Sequence, residues 1–384
     1  MPSTQKGAAG KPRLLFIDIV RGLAVLTMIQ AHVSNSTVLA SLRKTPEFHR
    51  LDLLNGMVSA CFIFISGFAI CLVIDQKLDA FLKWQKPLWL QIRRLLFILA
   101  LGYWLHLPFW SLRRLLHMND QQILTVFRCD VLHAIALSLL FCVLMALILR
   151  NRKATAITMG ALCLFVVFWT PFLYDTNPTA YTSPVLGTYI TAHLNPLFPL
   201  FPSSAYAFAG YFFCWLYLEL KKRGKEQILF TVLLPLGFAM LVGAFQLFYL
   251  PWSYHTYADP SKSSPRHFMM KLGAVLLVLS LVWFYEKLRR PTRSYVNMVG
   301  QESLFVYALH LMIVYGCVFT PHNFASDIGS NLTYGPSLLL SLLLIGVMCA
   351  TGVAWFRVKR ETPRLAKGLF YGAVAFWLIG LLIS

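Results

Sequence analysis

Three ionisable residues sit inside one apolar stretch near the N-terminus, Asp18, Arg21 and His32 in IDIVRGLAVLTMIQAH. A guanidinium presents a planar fork of donors that suits phosphate. An imidazole transfers protons near neutral pH. On a helix, Asp18 and Arg21 are close enough to pair along one face. From Arg21 to His32 is three turns plus roughly 20°, so they also share a face, about 16 Å apart along the axis. A charge at bilayer depth costs at least ~2.5–3.5 kcal/mol, and such residues ordinarily mark function. The bland reading is a self-neutralising Asp18–Arg21 pair and an interfacial His32. The functional reading is an anion site below and a titratable group above, on one polar stripe.

A second stripe lies in GQESLFVYALH, where Ser303, Tyr307 and His310 follow one another at helical spacing. A third polar group, Arg128, Asp130 and His133, opens another apolar run, where Asp130 also suits an ordinary helix cap. His106, His117, His193, His255, His267 and His322 read as interfacial or loop residues. No HxxxH or HxxE spacing points to a metal, and none is expected. The eight cysteines form no CxxC pair; most lie inside apolar runs and read as small buried hydrophobes.

The elements that must position these residues are membrane spans. Of the 384 residues, 58% are hydrophobic and 13% charged, far from the balance of a soluble domain. Apolar runs of about 20 residues recur along the whole chain, which argues for helices rather than a β-barrel. The reading is all-α, a polytopic transmembrane helical bundle of about 10–11 spanning helices. The candidate runs are 14–33, 53–74, 90–109, 131–149, 154–173, 204–220, 228–250, 269–286, 301–319, 334–356 and 366–383. Residues 1–13 read as a cytoplasmic tail and 14–384 as a single transmembrane domain, with no cleavable signal peptide.

The net charge of +19 does not indicate nucleic acid, because the basic residues form short clusters between apolar runs rather than a stripe with interleaved aromatics. They read instead as topology signals. With the N-terminus in the cytoplasm, the outer segments hold only Arg43, Lys44, Arg50, Arg113, Arg114, Arg128, Lys262, Arg266 and Lys271, and Arg21 alone is left within a helix. The C-terminus then lies outside, in the plasma (inner) membrane. The longest outer loop, 174–203, is rich in proline (Pro178, Pro184, Pro196, Pro199, Pro202) and reads either as a solvated crossover or as an acceptor platform.

Taken together, these motifs resemble a family. Arg21-x10-His32 is similar to the opening helix of type-3 membrane acyltransferases. FIFISGFAI, from Phe62 to Ile70, resembles their aromatic-rich Ser-Gly-Phe stretch, and GQESLFVYALHLMIVYG their late Ser-Leu-x-x-Tyr-x-x-His helix. RCDVLHAIALSLL and NPLFPLFPSSAYAFAG are similar to the branch containing the heparan-α-glucosaminide N-acetyltransferase catalytic domain. The resemblance covers roughly residues 13–320.

It implies transfer of an acyl group, usually acetyl from acetyl-CoA, to a hydroxyl or amine of a carbohydrate across the membrane. His32 then matches the catalytic histidine and Arg21 the arginine that holds the donor, with Asp18 orienting it. The heparan branch places its key histidine in the loop after helix one, where this chain has His49, so the catalytic assignment is divided between His32 and His49. Ser66, Ser303, Tyr307, His310 and His133 are expected along the acyl channel or as oxyanion donors. Arg93 and Arg94 are expected either at the nucleotide end of CoA or as topology anchors. The expected partners are acyl-CoA, a glycan or sugar acceptor and the lipid bilayer, with a homodimer left open. The main alternative is a secondary transporter of an organic anion, with Arg21 as clamp and His32 as proton relay. A non-catalytic membrane subunit is the other.

Overall fold

The computed structural model describes residues 14–107, 111–176, 182–191, 194, 196–246, 264–289, 294–317 and 322–383. The expected tail 1–13, with Pro178, His193, His255 and Lys262, lies outside these residues. All regular structure among them is helical, apart from isolated bridge positions, among them the pair Val38 and Leu332.

The chain runs α1 (Leu15–Thr37), α2 (Pro46–Leu82), α3 (Lys86–Leu105), α4 (Leu112–Leu116), α5 (Asp120–Val126), α6 (Val131–Leu149), α7 (Arg152–Asp175), α8 (Pro184–Ile190) and α9 (Leu200–Lys222). It continues as α10 (Glu226–Gln246), α11 (Pro265–Arg289), α12 (Tyr295–Gln301), α13 (Ser303–Val314), α14 (Phe324–Asp327), α15 (Tyr334–Glu361) and α16 (Pro363–Ile383). Local chemistry sets many of these boundaries. Thr45 caps α2, with Pro46 in its first turn, and Asp130 and Asn151 cap α6 and α7 through their carboxylate and amide oxygens.

Among the described residues nine helices are long and apolar enough to cross a membrane, so the protein is an integral multi-pass membrane protein. Two of the spans read from the sequence fall outside that group. One is α9, whose serines, tyrosines and terminal charges dilute its apolar character, although residues 203–211 are buried throughout. The other is 301–319, which is no continuous helix. The backbone leaves helical geometry at Glu302 and divides the segment into α12 and α13, while the Glu302 carboxylate takes both its hydrogen bonds, at 2.8 Å, from Lys359 on α15. The expected loop 174–203 contains α8, and the segment before α6 contains α4 and α5.

Glycines allow the central helices to touch backbone to backbone. A side chain on Gly22 of α1 would strike the Val296 carbonyl of α12, and one on Gly300 would strike the Asp18 carbonyl. Gly67 and Gly210 do the same between α2 and α9, where the Ser-Gly-Phe stretch lies. Small residues serve this purpose in lipid, where no hydrophobic force drives helices together. Phe16, at the start of α1, packs edge-on against Phe68, Tyr217 and Phe230. This end of the bundle, where α1 begins and α2 and α9 finish, is called basal below, and the opposite end distal.

At the distal end, the exit of α1 is clamped onto the entry of α15. The Thr37 hydroxyl meets Ser337 at 2.9 Å, Thr45 meets Tyr334 at 2.7 Å, and Arg43 donates to the Ser330 hydroxyl at 2.7 Å. These bonds hold the last turns of α1, and therefore His32, in a fixed place.

Candidate functional site

His32 faces α13. Its Nδ1 lies 2.8 Å from Nε2 of His310, with the two ring planes within 9° of parallel. His310 is fully buried, and its own Nδ1 lies 2.9 Å from the Val306 carbonyl one turn back. A carbonyl oxygen can only accept, so His310 Nδ1 carries a hydrogen. In a neutral His310, Nε2 is then an acceptor, and the hydrogen between the rings belongs to His32 Nδ1. The remaining nitrogen of His32, Nε2, is left with its lone pair. The arrangement selects the basic tautomer of His32 and fixes its ring, as the partner of a general base does. His32 itself is only partly buried. The edge of Tyr315 packs on it at 5.6 Å, and the Tyr315 hydroxyl reaches the His32 carbonyl at 3.4 Å.

The polar chain continues away from His32. Tyr307, one turn before His310, sets its ring edge-on to that imidazole at 5.7 Å and donates its hydroxyl hydrogen to Asp130 Oδ2 at 3.1 Å. Asp130 Oδ1 accepts the Val131 N–H at 2.6 Å, and the Asp130 N–H donates to His133 Nδ1 at 3.1 Å. Asp130 therefore caps α6 and also ties α6 to α13. The sequence suggests the first role; the second needs the fold. The Tyr307 hydrogen and both His310 nitrogens are engaged in this arrangement.

His133 belongs to a neighbouring aromatic group. Its ring is buried against Tyr103 at 4.3 Å, with His106 and Tyr189 at 6.1 and 6.0 Å. The Tyr103 and Tyr189 hydroxyls meet at 2.6 Å. On α8, burial first, and then this hydrogen bond, raises the pKa of the Tyr189 phenol well above its ordinary value. Among the described residues His133 Nε2 has no hydrogen-bond partner.

Near the basal end, Arg21 and Asp18 form the expected ion pair at 3.8 Å, beside the Gly22–Gly300 contact. Asp18 is buried and Arg21 partly so. The remaining expected residues are more scattered. His49 is exposed on the first turns of α2, with Nδ1 on the Thr45 carbonyl at 2.8 Å. Arg93 and Arg94 are exposed on α3. Ser66 and Ser303 are half-buried, on α2 and at the start of α13. Sequence reasoning passed over Tyr315; its only signal is its place one turn and a half beyond His310.

The comparison with known families bears on this site directly. The model of a family described as an acyltransferase domain matches residues 14–356, which span the helices from α1 to most of α15. Among curated proteins none matches the chain. The match takes in both histidines, the Arg21–Asp18 pair and the Asp130–Tyr307 bond, and covers most of the sequence: this multi-pass membrane protein belongs to the type-3 acyltransferase family.

Proposed function

We propose that the protein moves an acyl group, acetyl in the first instance, from cytoplasmic acyl-CoA to a hydroxyl or amine of an extracytoplasmic carbohydrate, with His32 as the base. The observation that carries this reading is the hydrogen bond from His32 Nδ1 to His310 Nε2. It leaves His32 Nε2 ready to take a proton. The basal end faces the cytoplasm of a plasma (inner) membrane, in keeping with the bias of Lys and Arg along the chain. Residues 14–384 act as one domain.

The donor enters basally, its phosphates near Arg21 with Asp18 holding the guanidinium, and its thioester extends toward His32. The distance of about 16 Å between the two residues along α1 suits such an extended arm. The acceptor comes from the distal end. Its oxygen or nitrogen attacks the thioester carbonyl as its hydrogen passes to His32 Nε2. The carbon–sulfur bond then breaks, and the imidazolium proton goes to the departing thiolate, so that CoA leaves as the free thiol. His310 stabilises the transient imidazolium through the same hydrogen bond and keeps the ring aimed. Asp130, through Tyr307, steadies α13 behind it.

The test is release of free CoA thiol from acetyl-CoA by purified protein across a panel of sugar acceptors. Acceptor-dependent release that disappears in His32→Ala and survives in His49→Ala is expected. Equal background rates for wild type and His32→Ala would remove the enzymatic reading and favour anion transport.

A further inference from the structure

A cavity of about 640 Å³ opens at the basal end between the end of α2, the α6–α7 turn and the last turns of α9. Arg150, Lys153 and Arg223 line it. The nearby carboxylates are engaged with other cations. Asp75 and Asp79 face Arg152 at 3.8 and 3.7 Å, and Glu219 holds Lys222 at 2.6 Å. Among the described residues no carboxylate lies within ion-pair distance of Arg150, Lys153 or Arg223. Three cations thus surround one concave space, and the one carboxylate in its wall, Glu219, is engaged by Lys222. The rest of the wall is mixed, with Leu78, Trp215, Leu216 and Leu220 beside Asn151, Arg152 and Glu219.

Two further features favour an anion there. The first turn of α7, a helix of 24 residues, forms part of the wall, and the Asn151 amide oxygen satisfies one of its N–H groups, that of Ala154, at 3.0 Å. Helix N-termini carry partial positive charge. Arg150 also adopts a left-handed backbone conformation, φ 53°, at the end of α6, where glycine would sit without strain. A cationic side chain occupies a position whose backbone asks for none.

We propose that this cavity binds a phosphate ester. Two sources share that chemistry: the headgroup of an anionic phospholipid at the membrane boundary, where basic pockets between spans take such groups, and the nucleotide end of CoA. The lipid source does not depend on the acyl-transfer reading, since neither the cavity nor its cations include Arg21 or His32, whereas the CoA source rests on it.

The experiment uses the full chain in phosphatidylcholine nanodiscs, with two probes added separately, phosphatidylglycerol in the bilayer and 3′,5′-ADP in solution. Thermal unfolding is read for both probes, and affinity by titration for 3′,5′-ADP. The variant is Arg150→Gly/Lys153→Gln/Arg223→Gln, in which glycine suits the backbone at 150 and the other two changes are at exposed positions. Arg150→Gly alone serves as the milder second variant. Wild type is expected to be stabilised by at least one probe, with the effect weakening as salt rises and being lost in the triple variant. If 3′,5′-ADP is the responding probe, its affinity falls at least about tenfold in the triple variant. A response to phosphatidylglycerol identifies a lipid, and a response to 3′,5′-ADP identifies the nucleotide. No response of wild type to either probe, or equal responses in wild type and both variants, would overturn the proposal. His32→Ala should respond as wild type does, so failure at this cavity is separable from failure of the acyl-transfer reading.

Discussion

Helices α1 and α16 are close in mean hydropathy, and both are long enough to span a bilayer, yet 67% of the apolar stretch of α1 is buried in the protein and only 6% of that of α16. The difference lies in what else each sequence carries. Between Asp18 and Thr37, α1 holds an ion pair, a histidine, several hydroxyls and the backbone contact at Gly22. Beyond its first turns α16 offers mostly apolar side chains, and its contact with the bundle includes Phe370 edge-on to Phe97 of α3 at 5.8 Å. Lipid is as apolar as leucine, so an apolar face gains little by turning inward. Polar groups and close backbone contacts draw α1 to the centre, and their scarcity among the described residues of α16 leaves that helix at the rim.

The largest expected effect that sharpens this contrast is at His32. His32→Ala should lower acceptor-dependent thiol release by about 10²–10⁴-fold, the usual contribution of a general base, whereas Phe376→Ala on α16 should leave the rate unchanged. Next comes His310→Leu, which removes the acceptor that sets the His32 tautomer. The turnover number should fall by about 10–100-fold, with KM for acyl-CoA held, by analogy with other partners that orient a functional imidazole. His310→Gln, which can still accept through its amide oxygen, should recover part of the rate. An equal loss in both variants would mark His310 as structural only.

Packing comes third. Gly300→Leu should destabilise the purified protein by about 1–3 kcal/mol or more, read as thermal unfolding in detergent, because its side chain meets the Asp18 carbonyl. Gly372→Leu on α16 should do nothing, since added atoms there begin in open space. If both glycines tolerate leucine equally, the contrast between centre and rim fails. Comparable in size is the effect of Tyr307→Phe, which leaves the packing and removes one hydrogen bond to a buried carboxylate, worth about 1.5–3 kcal/mol, while activity persists at a reduced level.

Several features are legible in the residues themselves. The apolar runs mark the spans, because hydrocarbon thickness sets a minimum length for any crossing helix. The spacing of Asp18, Arg21 and His32 places them on one stripe, because helical periodicity is local. The pairing of Asp18 with Arg21 follows from the same rule, as does the capping of α6 by Asp130. The sequence also singles out Tyr307 and His310, again by spacing alone.

Other features depend on which helix meets which. His32 and His310 are 278 positions apart, and Asp130 and Tyr307 are 177 apart, so no local rule could join them. The partner that Glu302 finds at the break, Lys359, arrives from α15. The division of the catalytic assignment between His32 and His49 came from the resemblance, whose branches place the key histidine at either position. Tertiary structure separates their surroundings, giving His32 a buried partner and leaving His49 bonded to its own turn. From its own sequence the chain determines that it spans a membrane and which residues of a helix share a face. Only the packed bundle decides which faces meet, because contact between distant helices depends on glycine seams and buried polar bonds that act across space rather than along the chain.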